Sequence, residues 1–239
     1  MIFPNVRIVL VETSHPGNIG ASARAMKNMA ITNLVLVSPQ RFPDEHALFR
    51  AGSALYVVNE AKVVDSVEEA IVDCQLVIGT SARGRRIPWP MLDPKGCGEK
   101  VVAESGEGHE EAILFGREDR GLSNQELQQC HFHVNIPTGE AYSSLNLAMA
   151  VQVICYEVLQ AKLAGAPEQS WDMDYASSAD MERLYEHLEE TLIQVGFHDP
   201  DNPRQLMTRL RRLFNRIRPD QMEISILRGI LSSINRLDN

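Results

Sequence analysis

The sequence lacks any apolar run longer than a strand; "IVLV" and "LVLV" are typical. A bilayer-spanning helix needs about 20 apolar residues, so a membrane protein of that kind is excluded. The first residues show no charged region leading into a long apolar stretch, so no secretory leader is expected and the cytoplasm is the expected location. Cysteine is scarce and scattered: Cys74, Cys97, Cys130 and Cys155 show no C-x-x-C spacing, which predicts reduced thiols rather than a disulfide framework. Aromatic residues make up 6%, too few for an extended base-stacking platform. Positive charge is not in excess, with a net charge of -9. The glycine patterns G-x-G-x-x-G and G-x-x-x-x-G-K-[ST] are both missing, which argues against a dinucleotide fold and a P-loop. Internal repeats and low-complexity segments are absent as well.

What remains is the composition of an ordinary globular chain: 239 residues, 44% hydrophobic and 23% charged. That length holds one sizeable domain with a small appendage. Short β-branched runs at 6–12, 33–38, 62–65, 75–81, 112–116 and 133–137 predict strands. Helical patterns at about 18–30, 66–73, 123–129 and 144–164 alternate with them. Two open on capping boxes, Ser66 with Glu69 and Ser123 with Glu126. Apolar strands alternating with helices predict an α/β fold, a mainly parallel sheet covered on both faces. In the first helix Ile19, Ala23, Met26 and Ala30 share a core face, while Gly20, Arg24 and Lys27 form a thinly covered cationic stripe. Its small residues allow another element to approach closely. The pattern then changes. Residues 1–165 form the predicted first domain, 166–177 a linker, and 178–239 a small helical domain with segments at about 178–195, 203–216 and 220–237. Leu184, Leu188, Leu192 and Val195 form one apolar stripe there, and Leu206, Leu210, Leu213 and Ile217 another.

Local positive charge matters more than the total for contact with phosphate. It gathers at Arg83, Arg85 and Arg86, and again at Arg204, Arg209, Arg211, Arg212, Arg216 and Arg218. Three polar stretches follow strand ends, where α/β sheets place their ligands. "HPGNIGASARAMKNM" carries Asn18 at the expected helix start and Arg24 beyond it. "LFGREDRGLSNQEL" carries Gly116, Glu118 and Gly121, and "IPTGEAYSSLNLAMAVQVICYE" carries Ser143, Ser144 and Asn146. "GTSARGRR" follows a fourth strand in the same way. Each has a plain structural alternative: a helix cap, a turn glycine, a solvated acid or a surface arginine. Cys130, His131 and His133 are candidate zinc ligands, but no fourth ligand is evident in the sequence, so a plain buried strand start is the expected reading.

Taken together and in order, "NIGASAR", "FGREDRGL" and "IP…YSSLNLAMAVQ" resemble the SpoU branch of the SPOUT methyltransferases, RNA enzymes that methylate the ribose 2'-hydroxyl. The resemblance covers about residues 1–165. It implies a trefoil knot in the C-terminal part of the sheet, a homodimer, and S-adenosylmethionine as methyl donor. The donor's own positive charge activates the methyl, so no metal is implied. By motif, the donor would contact Thr80, Ser81, Ala82, Gly116, Ile136, Ser143, Ser144 and Leu145. Arg24, Asn18, Glu118, Ser144 and Asn146 are the implied catalytic set. In the family the arginine is held to reach in from the partner subunit. Further details, "VETSHPGNIGASARAMKNM", "GTSAR…PWPM" and the helical tail, are similar to those members that act at position 32 of the tRNA anticodon loop, on cytidine or uridine. Arg24, Arg83, Arg85, Arg86, Arg209, Arg212 and Arg216 are the expected contacts to the anticodon stem-loop. The alternatives are methylation of another tRNA or rRNA nucleotide, or a non-catalytic RNA-binding protein on the same scaffold.

Overall fold

A strand covered on both faces is apolar at nearly every position, and Val6–Val11 (β1) is buried throughout, its one charged residue, Arg7, ion-paired with Asp73 and Glu110. Its side chains alternate between two cores: Ile8 and Leu10 enter one, Val9 and Val11 the other. The computed structural model describes residues 3–81, 88–105, 109–139, 144–165 and 173–237. Six further strands join β1: Asn33–Val37 (β2), Lys62–Val64 (β3), Leu76–Thr80 (β4), Met91–Leu92 (β5), Glu111–Phe115 (β6) and Phe132–Val134 (β7). They pair in the order β3-β2-β1-β6-β4-β7-β5, and every pairing is parallel. The register sets Leu10 beside Phe115, Gly79 beside Leu114 and Thr80 beside Val134. The C-terminal ends of four central strands therefore open on one edge.

Among the described residues seven α-helices lie in this unit, which spans Met1–Ser170. The first, Pro16–Asn28 (α1), starts two residues before the expected Asn18, because His15 is its N-cap and Pro16 opens its first turn. Ile19, Ala23 and Met26 are fully buried as expected, but Ala30 lies past the helix at φ +60° and is half-exposed. Gly20 is not thinly covered either. Glu45–Ala51 (α2) presses on it so closely that a Cβ there would stand 2.1 Å from the Ala47 carbonyl oxygen. Next come Leu55–Asn59 (α3) and Val67–Ile71 (α4). The Ser66 hydroxyl accepts from Glu69 N–H, while the Glu69 carboxylate turns to Asp65 N–H. Pro94–Glu104 (α5), Asn124–Gln128 (α6) and Leu147–Leu163 (α7) complete the set. The full reciprocal box forms at α6, between Ser123 and Glu126.

The sequence reading missed α2, α3, β5 and α5. The two short helices leave Phe49, Leu55 and Tyr56 outside and so carry no apolar period. Helix α5 holds two glycines, which oppose helix by propensity. One of them, Gly98, meets α7 so tightly that a Cβ would stand 2.4 Å from the Glu157 carbonyl oxygen. Close packing there outweighs propensity.

The second unit, Trp171–Asn239, carries Ser178–Gln194 (α8), Leu206–Ile217 (α9) and Gln221–Leu237 (α10). Met181, Leu184, Tyr185, Ile224 and Leu231 form its core. The stripes are only partly buried: Val195, Leu213 and Ile217 are exposed. Its arginines divide. Arg211 turns inward, bidentate to Glu182 at 2.5 and 2.7 Å and 4.4 Å over the Tyr185 ring, while Arg209 and Arg216 stay outside. Arg212 is half-buried and Arg218 is buried. The four cysteines form no disulfide and are buried, and burial pushes the Cys97 thiol up to about 12. Among the described residues no helix is long and apolar enough to cross a membrane.

Candidate active site

The three polar stretches converge. At the start of α1 the His15 ring nitrogen Nδ1 accepts from Gly17 N–H at 3.1 Å. Asn18 therefore projects from the first turn instead of capping it. After β6 the chain doubles back, with Gly121 at φ +69° and its N–H bonded to the Arg117 carbonyl at 2.8 Å. The Arg117 guanidinium clamps this loop, donating to the carboxylates of Glu12 and Glu126. Those two hydrogen bonds raise the Arg117 pKa further, against its partial burial, and the clamp holds the Glu12 carboxyl below the usual range.

Glu118 is the hub. One oxygen accepts from Ser14 N–H at 3.1 Å and the Ser14 hydroxyl at 3.0 Å; the other accepts from His15 N–H at 3.2 Å and Asn18 Nδ2 at 2.9 Å. Burial pushes its pKa up, but these donors outweigh that and hold it below the ordinary carboxylate range. Asn18 Oδ1 in turn accepts from Asn146 Nδ2 at 3.1 Å. The Asn146 Oδ1 caps α7 by accepting from Ala148 N–H at 3.0 Å. Three motifs, 128 residues apart at their extremes, thus share one hydrogen-bonded chain.

Beside this chain lies a cavity of about 180 Å³ at the ends of β4, β6 and β7. Phe115, Leu122, Val134, Ile136, Leu145 and Leu147 give it apolar walls, and Thr80, Ser81, Thr138 and Ser144 bring hydroxyls. Glu118, Asp119 and Arg120 rim it. Gly116 has no room for a side chain, since a Cβ would stand 2.1 Å from Leu122 N and from Gly121 C. Such walls suit a guest with a flat apolar part and a polar, charged part.

The structure brings Thr80, Ser81, Gly116, Glu118, Ile136, Ser144 and Leu145 to the cavity, and Asn18 and Asn146 to the chain of bonds beside it. Arg24 is elsewhere. Six residues past Asn18, about 9 Å along the axis, it is exposed and is not among the described residues lining the cavity. Ala82, Arg83, Arg85, Arg86 and Ser143 lie outside the described residues. Sequence reasoning missed the donors Ser14 and His15 and the clamp Glu12–Arg117–Glu126. Glu126 was legible as a helix cap, but nothing in its spacing showed a second partner. Cys130, His131 and His133 are each engaged: the thiol donates to Glu126 O, His131 Nδ1 accepts from Val77 N–H, and His133 stacks on Trp89 at 5.4 Å. Among the described residues no three such side chains form a metal-binding group.

The model of the SpoU rRNA Methylase family matches residues 5–156. The chain belongs to that family. The SpoU methylase match contains the whole of the hydrogen-bonded chain and the cavity. The C-terminal domain described for the tRNA methyltransferase TrmJ matches residues 179–239. A tRNA (cytidine/uridine-2'-O-)-methyltransferase TrmJ from Klebsiella pneumoniae is 54% identical over 238 residues, covering 97% of this chain and 97% of that protein. The crystal structure of TrmJ from Z. mobilis ZM4 superposes with a TM-score of 0.83 at 31% identity, covering 96% of this chain and 98% of that one. The SpoU methyltransferase AviRb from Streptomyces viridochromogenes, solved with AdoMet, shares the fold at a TM-score of 0.55 and 22% identity, over 66% of this chain and 61% of that one.

Proposed function

We propose that this SpoU methylase transfers a methyl group from S-adenosylmethionine to the ribose 2'-hydroxyl of a cytidine or uridine at position 32 in the tRNA anticodon loop. The observation that carries the reading is the Glu118–Asn18–Asn146 chain beside an amphipathic cavity. The names of the close relatives supply the substrate class. Thr80, Ser81, Gly116, Ile136, Ser144 and Leu145 would hold the donor, with Ala82 and Ser143 added by motif. When bound, the donor supplies an electrophilic methyl on a charged sulfur. The protein's task is then to aim a hydroxyl at it, and alignment alone lowers such a barrier substantially.

Four donors already occupy the two Glu118 oxygens and lower its proton affinity, so it serves as a fixed acceptor that locks the Asn18 amide rather than as the base. Asn18, Asn146 and Ser144 face the ribose with that lock in place. Arg24 enters from the second subunit of a homodimer, which accounts for its exposure and its distance from its own cavity. A guanidinium keeps its proton in proteins. Its role is a fork that holds an RNA phosphate and polarises the hydroxyl. A C-terminal trefoil knot shapes the donor site, an all-α domain follows the linker 166–177, and the protein works in the cytoplasm.

The deciding experiment is transfer of labelled methyl to bulk unmodified tRNA, with the modified nucleoside placed by mass spectrometry. A 2'-O-methylpyrimidine at position 32 is expected. A methyl on another ribose would move the target, and no transfer despite donor and tRNA binding would leave an RNA-binding protein. On the second unit, Arg209, Arg212 and Arg216 share one face of α9, at i, i+3 and i+7. Together with the arginines at 83, 85 and 86 they are proposed to contact the tRNA backbone. Replacing the three on α9 with alanine should weaken tRNA binding and reduce its salt slope by about three. An unchanged slope in a salt titration would make this face a packing surface instead.

A further inference from the structure

Helix α2 stands next to the site without a part in it. Its inner face is fixed, with Ala47 and Ala51 buried against α1 at Gly20, two residues past Asn18. Its outer face is open. Phe49 is 84% exposed, and His46 and Arg50 are exposed with it. The stem of Arg50 reaches the start of α1: a Cβ on Gly17 would stand 3.6 Å from Arg50 Cγ and 3.0 Å from His15 Nδ1. Because that nitrogen accepts from Gly17 N–H, the neutral ring carries its proton on Nε2 and offers a donor. The local charge also departs from that of the chain. Between Glu12 and Asp44 the sequence contains no acid, although the net charge is -9; in space Glu118 adds one there, its carboxylate taken up by Ser14, His15 and Asn18. Asp44 itself caps α2 and pairs with Arg41 at 3.0 Å, which leaves Glu45 as the acid of α2.

We propose that this face of α2 grips the RNA beside the target nucleotide, Phe49 stacking on an unpaired loop base while Arg50 and the His15 Nε2–H hold a backbone phosphate. The inference rests on the RNA-methylating function proposed above and names a further contact for it. A projecting ring with cations beside it matches the two things an RNA loop offers, a free base face and a phosphate. The backbone-to-backbone contact at Gly20 makes the grip useful, because it fixes the position of the ring relative to Asn18.

The test is binding of unmodified tRNA to the full chain across a salt series, by fluorescence anisotropy. Phe49→Ala and Phe49→Leu should each weaken binding about tenfold, the loss of one base stack, with the salt slope unchanged. Phe49→Trp should bind within about twofold of the parent. Arg50→Ala should weaken binding and lower the slope by about one. S-adenosylmethionine affinity and the mass by light scattering should not move. A Phe49→Leu protein that binds like the parent overturns the proposal, as does a Phe49→Ala protein of altered mass, which would assign the face to a subunit contact. If the parent binds tRNA with this pattern but methylates none, the proposed reaction fails and the grip stands.

Discussion

Gly116→Ala should cut affinity for S-adenosylmethionine by on the order of 100-fold while the protein stays folded. The new methyl would stand 2.1 Å from the backbone of Gly121 and Leu122, and backbone cannot swing aside as a long side chain can. The loop it strikes is tied down by Arg117 to Glu12 and Glu126, so relief must come by displacing the cavity wall. Overpacking of this kind costs about 1–3 kcal/mol, and about 2.7 kcal/mol is 100-fold in affinity. Titration calorimetry measures the affinity and a thermal melt reports the fold. Gly139→Ala is the control, since among the described residues a Cβ there meets nothing within 4 Å. Near-parent affinity in Gly116→Ala would mean that this wall does not hold the donor.

Asn18→Ala should lower kcat by about 100- to 1000-fold, the effect of removing one preorganised donor at a reaction centre. Donor affinity should stay within a few-fold, because Asn18 is not among the described residues lining the cavity. The single side chain satisfies Glu118 on one side and Asn146 on the other. Asn18→Asp should be no better. It keeps the shape but sets a carboxylate where Glu118 now receives an N–H at 2.9 Å. The same network fixes the sign of one pH effect. Glu118 has its folded pKa below the usual carboxylate value, so its contribution to stability is complete above the unfolded value of about 4.3 and is lost only as pH falls through the lowered value. A rate–pH profile should therefore show no step from Glu118 above about pH 5. Single-turnover rates between pH 5 and 8 for the parent and Glu118→Gln would expose such a step; finding one in the parent alone would restore Glu118 as the base.

Sequence showed the parts of this molecule that depend on local pattern. The runs at β1 and β2 are apolar at nearly every position, which only a strand buried on both faces requires. The box at Ser123 and Glu126 is a spacing rule written in four residues. What stayed hidden depends on contacts between distant segments. Helix α5 looked unhelical because Gly98 answers to α7 rather than to its own turn. Arg211 and Arg209 are two positions apart in one basic run, yet one is half-buried against Glu182 and Tyr185 and the other is exposed; charge carries no direction. The site lies between these extremes. Asn18, Glu118 and Asn146 each had a bland reading alone, and only their order pointed to one centre. The donors Ser14 and His15 escaped notice because they act through backbone N–H groups, which any residue supplies.

Asn146 illustrates how such a centre narrows its own sequence. As a helix cap, the position would accept Asp, Ser or Thr nearly as well as Asn. Here its oxygen holds the first turn of α7 while its nitrogen donates to Asn18. Aspartate lacks the donor, and a hydroxyl has a single heteroatom where two separated ones are needed. A site where several residues would serve the helix equally is thus reduced to a single choice by a neighbour from the other end of the domain.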